Sequence, residues 1–476
     1  VGGVCCGITV DKQLDSGCKL IREPTSHEDR HTRRIVRVAA LEHTETFQAS
    51  VHHDCPENQI KSLVGRVAGV VPKPTPSGLA NMRKAATCIA RCLPRTTAND
   101  LFDMPKRYTG AKARRYESAC HEYSNCGITK REALVKMFIK PERFDPAAKT
   151  NPDPRAIQFR GAKFCVAVAQ YLHPIEELIY ELDCASAGVP RSRNIAKGLN
   201  SVKRAELLVA KIAAFDDPVV VGLDASRWDK HVSKSVLELE HSIYLSSNPD
   251  PVFMQLLSWQ LVNHCYTTLG LVYKVEGRRM SGDMNTAVGN CLLMLMMLMA
   301  FYTSAGIHKW DCLDDGDDSV SIIERKDLAR VLHLAPLGFL TYGQEIKIEK
   351  IAFSLHQVVF CQSCVVEFAH ERYKFVRDYR AVLSKALTGV RHWENDVYRR
   401  RVLIAIGTCE LILNLGVPVL QEFALAILRN SKRGLTKPID LYDAPEGLRK
   451  RALRDLRSLG VPLHDVMPQP IPTCSR

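Results

Sequence analysis

Residues 313–322 read Leu313-Asp314-Asp315-Gly316-Asp317-Asp318-Ser319-Val320-Ser321-Ile322, two apolar runs meeting at a knot of acids. Trp310 to Leu313 and Ser319 to Ile323 have the composition of paired strands, and Gly316 frees the backbone for a tight turn between them. The reading is a β-hairpin that carries Asp317 and Asp318 where the chain reverses. Adjacent carboxylates repel each other, and a divalent cation such as Mg2+, with its taste for hard oxygen ligands, keeps both ionised. Taken alone, such a turn reads as a solvated surface feature.

Two stretches upstream change that balance. Val219-Val220-Val221-Gly222-Leu223-Asp224 is a buried strand ending in an acid, and Asp229 follows five residues later. A strand-terminal Asp can meet the acids of a neighbouring hairpin, forming a carboxylate cluster at one sheet edge. Two metals about 4 Å apart there would activate a 3′-hydroxyl and stabilise a leaving pyrophosphate. Between the acids lies Ser281-Gly282, then Thr286 and Asn290. Thr286 and Asn290 are four apart and share a helix face. Ser281-Gly282 reads as a flexible loop where backbone approaches a ligand, and Asn290 offers donors and an acceptor to a ribose hydroxyl. Each residue alone is equally a helix cap or a buried Asn; their order alongside the acids favours a site.

The surroundings read as mixed α and β. Ser233 to Ser246 has helical spacing, and Tyr266 to Glu276 reads as a hairpin around Leu269-Gly270. Cys291 to Tyr302 is a dozen apolar residues, short of the ~20 a bilayer needs, so a buried core helix is expected. Beyond Ala381 the pattern is mainly helical, notably Val397 to Leu415 and Gly447 to Leu459. Residues 1–70 are mixed, and Val71-Pro72-Lys73-Pro74-Thr75-Pro76 looks like a linker ending them.

Length and composition set bounds. A chain of 476 residues makes about three lobes. With 46% hydrophobic and 25% charged residues, wholesale disorder is excluded. The formal charge of +13 points to a polyanionic partner. The excess is concentrated: residues 101–163 hold 14 Lys/Arg against 7 Asp/Glu, and residues 377–476 hold 17 against 10, as if two basic lobes flanked a neutral centre. The 17 scattered cysteines read as reduced thiols of a cytosolic protein. Cys88 with Cys92, and His52-His53-Asp54-Cys55, lack the paired spacing of zinc ligands and read as structural. The first residues carry no basic segment followed by an apolar one, so a signal peptide is not expected; the chain is expected to begin within a longer translation product.

In motif order, residues 95–380 resemble the RNA-dependent RNA polymerases of tombusvirus-like positive-strand RNA viruses. GLDASRWDKHVS (222–233) is similar to motif A, RRMSGDMNTAVGN (278–290) to motif B and LDDGDDSVSI (313–322) to motif C. FIKPERFDPAAKTNPDPRAIQFRGAKF (138–164) resembles motif F and RYTGAKARRYESA (107–119) a motif G region. Lys347, 13 residues before Phe360-Cys361-Gln362-Ser363, matches the motif D lysine ahead of motif E. Collinearity makes the resemblance specific.

The resemblance implies an α+β right-hand polymerase with an antiparallel palm sheet, basic fingers and a helical thumb. The expected divisions are an N-terminal extension and linker (1–75), fingers (76–204), palm with a finger insertion (205–380) and thumb (381–476). It implies template-directed nucleotidyl transfer by a two-metal mechanism, with Asp224 and Asp317 as the main ligands of Mg2+, Asp318 supporting them, and Mn2+ able to substitute. Asp229, Asn290 and Thr286, behind the Ser281 loop, would sense the ribose 2′-OH. Lys140, Lys149, Arg155 and Arg160 would line the path by which triphosphate enters, Arg155 foremost because its fork suits phosphate oxygens. Lys347 would protonate the leaving pyrophosphate. Asp314 and Asp315 add charge that the family pattern does not call for, and their role is open. The implied partners are RNA template and product, NTPs and other viral replication proteins in the host cytoplasm, at membrane-associated complexes reached indirectly or through another segment. A reverse transcriptase shares the palm acids, but would exclude the 2′-OH with bulk rather than bind it. A non-catalytic RNA-binding protein fits the charge but gives no reason for the carboxylate set.

Overall fold

Pro218–Ala225 is the strand around which the molecule is organised. In the computed structural model, which describes residues 13–25, 33, 35–38, 49–146, 151–186, 188–390, 393–431 and 440–469, it lies inside a four-stranded sheet. The order is Trp310–Asp314, Asp318–Glu324, Pro218–Ala225, Ile346–Ala352, and every pairing is antiparallel. Both faces of this strand are covered, which is why it reads as a continuous apolar run. Val219, Val221 and Leu223 enter the largest core, with residues of helices Pro76–Cys92, Ala162–Tyr180 and Thr286–Ser304. Val220 faces the other way, among residues of helix Ser201–Ile212 and a small three-stranded sheet. Asp224 shares the parity of Val220.

The expected hairpin forms in register, from Trp310 opposite Ile323 to Asp314 opposite Ser319. Its turn needs Gly316, whose φ is +105° and whose added Cβ would sit 3.3 Å from Asn290 Cβ. Thr286–Ser304 is apolar around its whole circumference and is buried in the core. Tyr302 near its end stacks on Trp310 at 4.7 Å, tying helix to hairpin.

The second hairpin begins at Val262 rather than Tyr266 and pairs Val262–Tyr266 with Val272–Glu276. It joins a five-stranded sheet with Val135–Ile139 and Ala156–Arg160. The edge strand of that sheet is Cys18–Arg22, paired with Val272–Glu276. The described residues before position 75 are therefore not a separate extension. Asp15 forms a buried ion pair with Arg278 beside this edge, and its other oxygen accepts from Lys73. The Pro-rich stretch is likewise no loose linker. Thr75 N donates to Thr341 O at 2.8 Å, while its hydroxyl caps the Pro76–Cys92 helix by accepting from Gly78 N.

The chain after Ala381 is mainly helical as expected, with Asp396–Leu413, Leu420–Ser431 and Glu446–Leu459. Several contacts return it to the first half of the molecule, among them Ser201 Oγ donating to Asp455 Oδ2. Arg143 donates to Thr388 Oγ1 at 2.9 Å, and the Thr109 and Tyr442 hydroxyls lie 2.6 Å apart.

Candidate active site

The sheet register does the assembling. Asp224 lies directly across from Asp318 on one side and from Lys347 on the other, so three strands carry these residues in one row. Asp317 is exposed in the turn just beyond, and its carbonyl accepts from Ala225 N at 3.4 Å. Burial first, then the charges of Asp317, Glu349 and Asp315, push the Asp318 carboxyl up to about 7. Glu349 is raised in turn, by burial and by Asp224. Reading the sequence missed Glu349, because an acid in Ile346-Lys347-Ile348-Glu349-Lys350 looks like an ordinary solvated strand face. The available signal was its position two residues past Lys347.

Among the described residues, no three His, Cys, Asp or Glu side chains close into a metal cage. The donor set nevertheless fits a hard divalent cation. Carboxylates crowd one edge, and burial foremost, with their mutual repulsion adding to it, raises Asp318.

Asp229 sits in the short helix Trp228–His231, which follows Arg227 in a left-handed conformation. Its carboxyl is pushed up to about 6 by burial foremost, with Asp317 adding to the shift and Arg279 opposing it. Asn290 Nδ2 lies 3.5 Å from Asp229 Oδ1, so the two expected sugar sensors meet. Thr286 and Ser281 are engaged differently. The Thr286 hydroxyl donates to Met280 O at 2.8 Å. Ser281 Oγ accepts from Gln158 N at 3.1 Å and donates to Ala156 O at 3.3 Å. Gly282 N donates to Gln158 O, and a Cβ on Gly282 would come within 2.6 Å of that oxygen. The loop is thus pinned to a strand, against the expectation of a flexible loop approached by ligand.

Of the expected triphosphate contacts, Lys140 and Arg155 adjoin each other at the open end of the Val135–Ile139 and Ala156–Arg160 pair, with Lys140 N donating to Arg155 O. Both side chains are exposed and share Glu142, at 3.7 and 3.3 Å, a pairing that water holds to a weak strength. Arg160 is a correction. Its side chain is 1% exposed and pairs with Asp283 at 2.7 Å. It also donates to Ala133 O and to Asn263 Oδ1, so its fork is occupied and braces the sheet instead of lining a path. Lys149 lies outside the described residues.

Asp314 is buried behind the turn and Asp315 is mostly so. Burial raises the Asp314 carboxyl well above its ordinary value, and its Oδ1 accepts from Gly316 N at 2.8 Å. Burial also works to raise Asp315, but Lys197 and Arg204 beside it hold the carboxyl below its ordinary value. Arg204 Nη2 is 2.8 Å from Asp315 Oδ2, Lys197 pairs with Oδ1, and the Cys361 thiol donates to Oδ2 at 3.4 Å. The extra acids are therefore internal struts of the turn. Asp54, from the set set aside as structural, accepts from Gln59 Nε2 and from Ile139 N.

A family model described as viral RNA dependent RNA polymerase matches residues 21–444. The chain is 33% identical over 368 residues to the RNA-directed RNA polymerase of Tobacco necrosis virus (strain D), covering 74% of this chain and 49% of that protein. It is 33% identical over 387 residues to that of Tomato bushy stunt virus (strain Cherry), covering 78% and 46%. Over 338 residues it is 35% identical to that of Groundnut rosette virus (strain MC1), covering 70% and 39%. The chain spans about half the length of the curated relatives it matches.

Proposed function

This chain belongs to the viral RNA-dependent RNA polymerase family, and from that premise we propose that it copies RNA by template-directed transfer of nucleotides from NTPs, replicating a positive-strand genome. The observation that carries the reading is the register that sets Asp224 opposite both Asp318 and Lys347, with Asp317 at the adjoining turn. In this reading residues 205–380 form the palm, 76–204 the fingers joined by the Val262–Glu276 hairpin and the N-terminal strand, and 381–476 the thumb.

Two divalent cations, Mg2+ with Mn2+ able to substitute, would supply charge to the attacking 3′-hydroxyl and the leaving pyrophosphate when held by Asp224 and Asp317, with Asp318 beside them. Lys347 delivers a proton to the departing pyrophosphate. Lys140 and Arg155, both reachable from solvent, exchange Glu142 for triphosphate oxygens. Asp229 and Asn290 accept and donate at the ribose 2′-OH. The protein acts with other viral replication proteins in the host cytoplasm, at membrane-associated complexes.

The test is competition between NTPs and dNTPs on an RNA template, run beside filter binding of the same RNA. A polymerase of this class incorporates NTPs and discriminates against dNTPs; an RNA-binding protein retains RNA and incorporates neither. Asn290→Ala should erode the discrimination selectively. A lost hydrogen bond in a buried site costs on the order of 1–3 kcal/mol, or about 5- to 160-fold in kcat/KM for the NTP. The dNTP never made the contact and loses much less. Equal losses for both substrates would make Asn290 a structural helix residue.

RNA affinity should fall steeply with salt and show little sequence preference. Each backbone contact contributes about −0.7 to the log–log slope on single strands. An affinity unchanged between low and moderate ionic strength would contradict a grip by basic lobes.

A further inference from the structure

The Asn290 amide has a partner that fixes which way it faces. Arg279 Nε donates to Asn290 Oδ1 at 2.9 Å. A guanidinium has donors only, so the amide oxygen must face it and the amide NH2 must turn toward Asp229. The backbone of the same residue holds the other sensor, since Arg279 N donates to Asp229 O at 2.9 Å.

Arg279 is itself immobilised. Its guanidinium pairs with Glu240 through both terminal nitrogens, Nη1 to Oε1 at 3.2 Å and Nη2 to Oε2. The two side chains are 2% and 0% exposed. Glu240 Oε1 also accepts from Asn285 Nδ2 at 2.8 Å and from the Tyr244 hydroxyl at 3.0 Å, and Gln260 Nε2 holds Asn285 Oδ1 at 3.1 Å. A buried ion pair persists only when its remaining donors and acceptors are satisfied, as here. Gly289 leaves the space it needs: a Cβ there would lie 2.6 Å from Arg279 Nη2 and closer still to Glu240 Oε1.

We infer that Arg279, clamped by Glu240, is the positioning residue for ribose selection: it locks the Asn290 amide and the Asp229 backbone so that the two side chains present one donor and one acceptor to a 2′-hydroxyl. The inference rests on the proposed polymerase reading. With Nδ2 directed at Asp229 Oδ1, the second carboxylate oxygen of Asp229 accepts from the sugar. Without the guanidinium the amide rotates freely between its two orientations, one of which sets oxygen against carboxylate.

The test is a double-mutant cycle read as the ratio of NTP to dNTP kcat/KM. Arg279→Lys keeps the charge, but one ammonium cannot hold both Glu240 carboxylate oxygens and the Asn290 amide. It should lower the ratio about tenfold, nearly all of it through the NTP. In an Asn290→Ala background the same change should have no further effect on the ratio, because Arg279 acts through that amide. Should Arg279→Lys fail to fold, Glu240→Gln, which keeps the shape and loosens the clamp, should lower the ratio in the same direction. Equal losses for NTP and dNTP, or full additivity with Asn290→Ala, would reduce Arg279 to a core brace and overturn the inference. If Asn290→Ala itself leaves the ratio unchanged, the inference falls together with its premise, a result distinct from the other two.

Discussion

Asp317→Ala is expected to abolish template-directed synthesis, with kcat/KM falling by at least about a thousandfold, while the fold and most RNA affinity survive. Charge stabilisation at a two-cation centre amounts to several kcal/mol of transition-state energy, and each 1.36 kcal/mol is tenfold in rate. The carboxylate is exposed at a turn, so its removal leaves no cavity and unpairs no buried group. It also removes the Asp317 charge that adds to the effect of burial in raising Asp318, and stability should stay level or rise slightly. Thermal unfolding and filter binding, measured beside primer-extension or de novo incorporation, separate the loss of chemistry from loss of structure. Synthesis near wild type would remove Asp317 from the site.

Asp315→Ala should behave in the opposite way, costing stability first. Lys197 and Arg204 would be left facing each other behind the turn with no counter-charge, and the Cys361 thiol would lose its acceptor. Breaking a buried pair costs about 3–5 kcal/mol; Lys197 keeps partial access to water, so about 3 kcal/mol is expected. The loss should appear as a lower urea midpoint with an unchanged slope. Its pH dependence has a definite sign. A carboxyl held below its unfolded value of 3.8 contributes stability above that pH and loses it as pH falls through the folded value. The gap between wild type and Asp315→Asn should therefore be widest near neutrality and narrow below about pH 4. A gap that widens in acid would contradict the ion-pair assignment.

What could be read from the chain, and what could not, divides along the range of the interactions. The strand ending at Asp224, the acidic hairpin and the Thr286–Ser304 helix were legible because each is announced by a local run of apolar residues. The association of Asp229 with Asn290 came from the resemblance to motifs A and B rather than from any local pattern. The rest depends on partners far along the chain. Cys18–Arg22 has an irregular burial pattern, and only its pairing with Val272–Glu276 makes it a strand. Arg160 looked like a free basic residue, and its burial is set by Asp283, over a hundred residues on. The sequence left the role of Asp315 open, and the pairing with Lys197 and Arg204 that takes it inside comes from more than a hundred residues upstream. Buried charges are the hardest feature to foresee, because burial is tolerated only where a distant residue supplies the opposite sign.

On the proposed reading, the edge of the Pro218–Ala225 sheet is a cation-dependent nucleotidyl-transfer site. Incorporation of labelled nucleotide on an RNA template by the purified protein, before and after chelation of divalent cations, tests it most directly. Product complementary to the template, lost on chelation and restored by Mg2+ or Mn2+, is the predicted result. Retention of RNA with no incorporation under any divalent cation, or incorporation indifferent to chelation, would contradict it.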